Sequence, residues 1–251
     1  MNAAIIDGII AKKKVCYFIS PHFDDMVFSS GALATKLAKT NKIIVINIFT
    51  TAGEQHTLSA KAYLKQCKYK NATKLYEDRT KEDKRALQPI AKQVINLGFA
   101  EALWRRKPGI LRQLLGNVLP ELVSVYPTYR FHIIKGRVAK ADRRTVAAIE
   151  EKLKALVATQ NAVVFCPLGV GNHIDHVFTH QLCERLFKDP IYWADYPYTQ
   201  SSNATPKNKK HFSFADNMHE KAALIAEYKT QYQAIFGASG LVLESERFYT
   251  N

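Results

Sequence analysis

The chain has 251 residues, of which 47% are hydrophobic and 23% charged, and its formal charge is +14. Those proportions belong to a folded globular protein and exclude a disordered or fibrous chain. No apolar run approaches the roughly 20 residues of a membrane-spanning helix, and Cys16, Cys67, Cys166 and Cys183 include no C-x-x-C pair, which argues against a disulfide framework and for a reducing compartment.

In chain order, the apolar part of residues 1–14 is short, is broken by Asp7 and precedes its lysines. No secretory leader is expected, and the expected location is the cytoplasm. Val15–Ser20 is short, apolar and bounded by a turn signal, so it reads as a buried strand. Pro21-His22-Phe23-Asp24-Asp25 follows, with Asp25 as a helix N-cap and a helix over 29–39. Residues 42–49 form a second strand, rich in β-branched side chains, that ends in the polar run Thr50-Thr51-Ala52-Gly53-Glu54. The basic stretch 55–79, with Tyr63, Tyr69 and Tyr76, reads as a loop with one short helix. Thr80-Lys81-Glu82-Asp83 fits a capping box, ahead of a helix through Leu87, Ile90, Val94 and Leu97 that Gly98 stops. Leu103-Trp104 reads as a short edge strand, and 110–125 as a helix broken or ended at Pro120.

The stretch 143–158 places Val146, Ile149, Leu153 and Leu156 on one helical face. A strand over 162–166, a turn-rich loop and a helix over 177–187 repeat the first strand–loop–helix arrangement. A strand at 191–194, a polar loop at 200–210 and a helix over 218–236 complete the chain. With no internal repeat and no linker, residues 1–251 read as a single α/β domain. Its mostly parallel sheet is covered by helices on both faces. Such sheets bind ligands at the carboxyl ends of their strands.

Two polar clusters sit at such ends. His22 and Asp25 lie three residues apart across a strand-to-helix turn, and His173-Ile174-Asp175-His176 follows a later strand. A hydrolytic zinc site needs three protein ligands and an open position; His22, Asp25 and His176 supply two imidazoles and a carboxylate. Such a metal makes water more acidic, which leaves Asp24 free to act as general base. His173 is placed to stabilise an oxyanion or protonate a leaving group, and Asp175 to orient a histidine through its ring N–H. The same donor set accepts ferrous iron or another divalent ion. Each residue also has an ordinary reading: Asp25 as a helix cap, Asp24 as a turn residue, His22 as a loop histidine. His56, His132, His211 and His219 are scattered and read as surface or structural, whereas His180, one turn past His176, is a candidate neighbour of the site.

These motifs resemble those of the LmbE-like, or PIG-L, deacetylases. The family's A-H-P-D-D-E is met by Pro21-His22-Phe23-Asp24-Asp25-Met26, and its H-x-D-H by His173-Ile174-Asp175-His176. Thr51-Ala52-Gly53-Glu54 is similar to its T-x-G-E, and Arg79 with Glu82 to its R-x-x-E. The resemblance implies a Rossmann-like fold and metal-dependent removal of an N-acetyl group from a glucosamine-type sugar. It makes His22, Asp25 and His176 the zinc ligands, Asp24 the general base, and His173 the group that stabilises the tetrahedral intermediate. Arg79 becomes a substrate contact. Phe23 and Met26 depart from the pattern's proline and glutamate. The expected partner is a small N-acetylated sugar, and the positive charge suits a phosphorylated one. No nucleic-acid or membrane partner is assigned. The alternatives are hydrolysis of another amide, such as a thiol conjugate, and a basic binding module without catalysis.

Overall fold

The protein is described here by a computed structural model covering residues 2–109, 116–201, 206, 209–237 and 240–251. Its strands are β1 (Val15–Ser20), β2 (Ile43–Thr51), β3 (Gln93–Ala100), β4 (Ala162–Pro167), β5 (Ile191–Trp193), β6 (Lys210–Phe214) and β7 (Glu246–Thr250). They form one sheet in the order β3-β2-β1-β4-β5-β7-β6. The first five strands run parallel; β7 runs antiparallel to both β5 and β6. The expected mostly parallel α/β sheet is therefore present. Strand order reverses between β1 and β4, which opens a crevice at their carboxyl ends.

Strand alternation explains why β1 is apolar throughout. Phe18 joins one buried cluster while Tyr17 and Ile19 join the other, across the sheet. A sheet covered on both faces needs apolar side chains in both directions. Phe18 stacks on Phe165 of β4 with ring centroids 4.5 Å apart.

The longer helices are α1 (Asn2–Ala11), α2 (Asp25–Ala38), α3 (Leu58–Gln66), α4 (Ala72–Leu87), α5 (Arg143–Leu156), α6 (Ile174–Leu186), α7 (Met218–Ala226) and α8 (Lys229–Phe236). Leu33 of α2, Leu75 of α4 and Ile225 of α7 pack on one side of the sheet. Ile149 and Leu153 of α5 pack on the other with Phe178 and Leu182 of α6. Helix α2 is interrupted at Ser30 (φ −145°, ψ 17°). Glu246 of β7 then accepts the N–H groups of Ala32 at 2.8 Å and Leu33 at 2.9 Å, and the buried Lys221 of α7 pairs with that carboxylate at 2.9 Å.

Several sequence expectations need correction. The stretch 55–79 holds α3 and the start of α4, each with its own cap: Thr57 accepts from the Ala60 N–H, and Asn71 from the Lys74 N–H. The Thr80–Asp83 pattern lies inside α4, where the Thr80 hydroxyl donates to the Tyr76 carbonyl at 2.7 Å. The helix expected through Leu97 ends at Leu87, and residues from Gln93 onward form β3, paired with β2. Val94 and Leu97 fit a helical spacing, but the parallel ladder with β2 gives this edge segment backbone hydrogen bonds along one side and decides for a strand. Gly98 (φ +78°) sits beside a register shift in this ladder, donating its N–H to Thr50 Oγ1 at 3.0 Å. Ala102–Trp104 is a 3₁₀ turn rather than an edge strand.

Pro120 starts the short helix Pro120–Val123 instead of ending one, as its missing N–H allows at a first helical position; residues 110–115 of the expected 110–125 helix lie outside the described residues. The helix expected over 218–236 is two, α7 and α8. β6 and β7 were not anticipated, and β6 takes the last residue of the expected 200–210 loop, of which 202–205 and 207–208 lie outside the described residues. The four cysteines are free and buried, and no helix among the described residues is long and apolar enough to cross a membrane.

Candidate active site and metal centre

The turn after β1 is closed by its own side chains. Ser20 Oγ donates to the His22 carbonyl at 2.6 Å and accepts the Met26 N–H at 3.2 Å. Helix α2 starts at Asp25 without a side-chain cap, so Asp25 is not the expected N-cap. Its Oδ2 instead accepts the His22 backbone N–H at 2.9 Å and lies 3.0 Å from His22 Nδ1. His176, in the first turn of α6, brings its Nε2 to 3.3 Å from the same oxygen. His22, Asp25 and His176 are all buried, and their ligand atoms lie within 4.8 Å of one another.

The outer ring nitrogens have carboxylate partners, which fixes the tautomers. His22 Nε2 lies 3.1 Å from Asp175 Oδ2, and His176 Nδ1 lies 2.7 Å from Asp195 Oδ1. A proton held on each of those atoms leaves the lone pairs of His22 Nδ1 and His176 Nε2 facing Asp25, the arrangement of carboxylate-supported metal ligands. Asp195 is itself fixed by the N–H groups of Gly169 at 2.7 Å and Val170 at 2.8 Å. Asp175 accepts the Ala102 N–H at 3.0 Å and a close contact from Arg105. Arg105 pairs in turn with Asp142 at 3.0 Å.

Asp24, Tyr63, Arg79, Glu101 and His173 complete the cavity floor. Asp24 faces the Arg79 guanidinium at 3.5 Å, and Arg79 also reaches Glu101 at 3.3 Å and the Tyr63 hydroxyl at 3.4 Å. The Tyr76 hydroxyl contacts Glu101. The His173 ring lies 5.2 Å from that of His22 and 5.4 Å from that of His176, and its Nδ1 accepts the Asp175 N–H at 3.3 Å. In the neutral ring the proton therefore sits on Nε2. With His22, Asp25 and His176, the five floor residues line a cavity of about 520 Å³ whose upper walls include Phe28, Tyr129, Tyr196 and Ile235; Tyr76 lies outside the lining.

Burial, then the adjacent Asp25 charge, raises the Asp24 carboxyl. Burial would also raise Asp25, but the imidazoles of His176 and His22 outweigh it and hold Asp25 below the usual carboxylate range. His173 is pushed well below the ordinary imidazole value by burial, then by the charge His22 and His176 can carry.

The sequence candidates His22, Asp24, Asp25, Arg79, His173, Asp175 and His176 thus meet in one place. His180 does not join them: its Nδ1 faces the Pro167 carbonyl at 3.1 Å and its ring packs on Tyr192. Glu54 is exposed. Phe23 and Met26 are buried in the core; the Phe23 ring covers Arg79 at 5.8 Å, so the departures from the pattern leave the site intact. Sequence reasoning missed Glu101, Arg105 and Asp195. Asp195 follows β5 as His22 follows β1, so strand-end position was an available signal. Glu101 follows β3 and was hidden by reading that strand as helix.

A buried His–Asp–His cluster at the switch point of a parallel sheet defines the class as an α/β protein with a metal-type centre. Residues 17–187 match the PIG-L family, described as GlcNAc-PI de-N-acetylase, and the chain belongs to that family. No curated protein sequence matches it. Among solved structures it is similar to the zinc-inhibited form of teicoplanin deacetylase Orf2, with TM-score 0.70, 17% identity, and 94% of this chain and 97% of that one covered. It is similar to N,N'-diacetylchitobiose deacetylase from Pyrococcus horikoshii, with TM-score 0.53, 16% identity, and 95% and 80% covered. It is also similar to GalB, the 4-carboxy-2-hydroxymuconate hydratase from Pseudomonas putida, with TM-score 0.52, 12% identity, and 94% and 95% covered. At these identities the likeness is one of fold.

Proposed function

We propose that this chain is a divalent-metal-dependent N-deacetylase acting on an N-acetylated amino sugar of the N-acetylglucosamine type. The observation that carries the reading is the convergence of His22 Nδ1, Asp25 Oδ2 and His176 Nε2 beside Asp24 and His173. Two imidazoles and one carboxylate, with both outer nitrogens held by Asp175 and Asp195, are a donor set that suits zinc and also accepts ferrous iron. A metal bound there would polarise the amide carbonyl and make water more acidic.

The chain's own groups do the rest. Asp24, raised by burial, takes the proton from the attacking water and passes it to the departing amine. His173 stays neutral and donates its Nε2–H to the oxygen of the tetrahedral intermediate. Arg79 holds Asp24 and Glu101 in place, which balances its charge, and its Nε–H, buried without a hydrogen-bond partner, can donate to a neutral oxygen of the sugar.

Family membership and the deacetylase neighbours support this reading over another amide. The hydratase neighbour means that fold alone does not decide the reaction. A binding module without catalysis would gain nothing from burying three imidazoles and three carboxylates around one cavity, where each costs free energy unless paired. The test is acetate release from N-acetylglucosamine glycosides by the metal-loaded protein. Asp24→Asn should lower the rate about 10²–10⁴-fold and retain bound metal. No acetate from any such glycoside, with metal bound, would remove the proposal.

A further inference from the structure

The cavity wall opposite the cluster is built by one face of α8. Gln231, Ala234 and Ile235 all line the cavity, and their i, i+3, i+4 spacing puts them on one face. Phe28 and Tyr196 adjoin them: both rings pack on Phe236, at 5.6 Å and 5.9 Å. Phe28 lies one helical turn after Asp25 on α2 and extends this apolar wall down to the metal-type cluster.

Gln231 is the exception to the wall's apolar character. It is 2% exposed. One end of its amide meets the Thr230 hydroxyl at 3.2 Å, and the other end has no hydrogen-bond partner; because the hydroxyl proton goes to Glu82 at 2.6 Å, the end facing Thr230 is the one that donates. A buried amide end without a partner is unfavourable until something supplies one. The helix cannot easily turn to find another partner. Thr230 is held by Glu82 through its N–H at 3.1 Å and its hydroxyl at 2.6 Å, and the Tyr228 hydroxyl, just ahead of α8, donates to Asp83 at 2.8 Å.

Among the described residues lining the cavity, Arg79 is the one lysine or arginine, and it is already held between Asp24 and Glu101. A phosphoryl group at the α8 wall would lose water and meet no free cation among the described residues, with three carboxylates on the floor. Apart from Arg79, no described lining residue directs the +14 charge at this cavity.

We infer that the α8 wall is a second subsite, taking an uncharged and largely apolar group joined to the amino sugar, with the unpaired end of the Gln231 amide hydrogen-bonding to a hydroxyl of that group. This deepens the proposed function and rests on it for the identity of the sugar. It replaces the phosphorylated substrate suggested by net charge with a neutral alkyl or aryl glycoside.

The test measures binding of two deacetylated compounds to the metal-loaded protein by calorimetry: a phenyl glucosaminide with a hydroxyl on its ring, 4-hydroxyphenyl glucosaminide, and glucosamine 1-phosphate. The phenyl compound should bind at least tenfold tighter. Gln231→Leu should weaken its binding about three- to tenfold with no change in metal content. Ile235→Lys, at a partly exposed position, should raise affinity for the 1-phosphate. Equal or tighter binding of the 1-phosphate by wild type, no binding of either compound, or a Gln231→Leu protein that binds the phenyl compound normally would overturn the subsite. Acetate release from phenyl N-acetylglucosaminide is a separate readout. A protein that binds the phenyl compound as expected but releases no acetate keeps the subsite and loses the deacetylase.

Discussion

Asp175 does more for this site than its place in the H-x-D-H motif suggests. It is fully buried, holds His22 Nε2, and is itself clamped by the Ala102 N–H and Arg105. Arg105 is in turn packed against the Phe49 and Tyr126 rings, at 4.6 Å and 5.2 Å, and paired with Asp142. A carboxylate fixed so firmly sets which nitrogen of His22 is free to ligate. Asp175→Asn should therefore weaken zinc binding about 10–100-fold, measured by competition with a chelator. Unchanged affinity in a folded variant would show that Asp175 does not orient His22. Among single residues, those within a few positions of one another were legible: His22 with Asp24 and Asp25, and His173 with Asp175 and His176. Arg105, Asp142, Asp195 and Gln231 were not, because each acquires its role only when distant segments meet.

At the scale of elements, α4 ties the sheet to α8. Asp83 of α4 accepts from Asn47 of β2 at 2.9 Å and from Tyr228, ahead of α8, at 2.8 Å. Burial nevertheless pushes its carboxyl up to about 7 from an ordinary 3.8. A carboxyl raised in the folded state binds a proton more tightly there than in the unfolded chain. Its contribution to stability is full below the unfolded value and is lost as pH rises through about 7. Asp83→Asn removes that titration. In urea unfolding, the variant should gain on wild type between pH 5 and pH 8; a difference independent of pH would show that Asp83 ionises normally. β1, β2, α5 and α6 were recognisable from runs and periodicity, since their neighbours impose nothing that contradicts the local pattern. β3 was not, because Val94 and Leu97 suit a helix as well as a strand and only pairing with β2 decides. β6 and β7 are short, β7 mixes adjacent polar and aromatic residues, and both are defined by antiparallel pairing at the sheet edge, β7 with β5 and β6 with β7.

For the whole molecule, the strand order explains why two motifs some 150 residues apart become one centre. β1 and β4 are adjacent and parallel, so the turns that leave them open into the same crevice. The alternation of strands and helices made the α/β class legible, and position at strand ends made the cluster legible. The cavity's character was not: net charge pointed to an anionic substrate, whereas the walls are apolar and Arg79 is already engaged. The central claim is that the two motifs together hold one metal ion. Elemental analysis of wild type and His176→Ala, purified without chelators and then supplied with zinc or ferrous iron, tests it most directly. About one metal per chain in wild type, lost in the variant, is the expected result. A wild-type protein that takes up no metal, or a variant that retains it fully, would contradict the account.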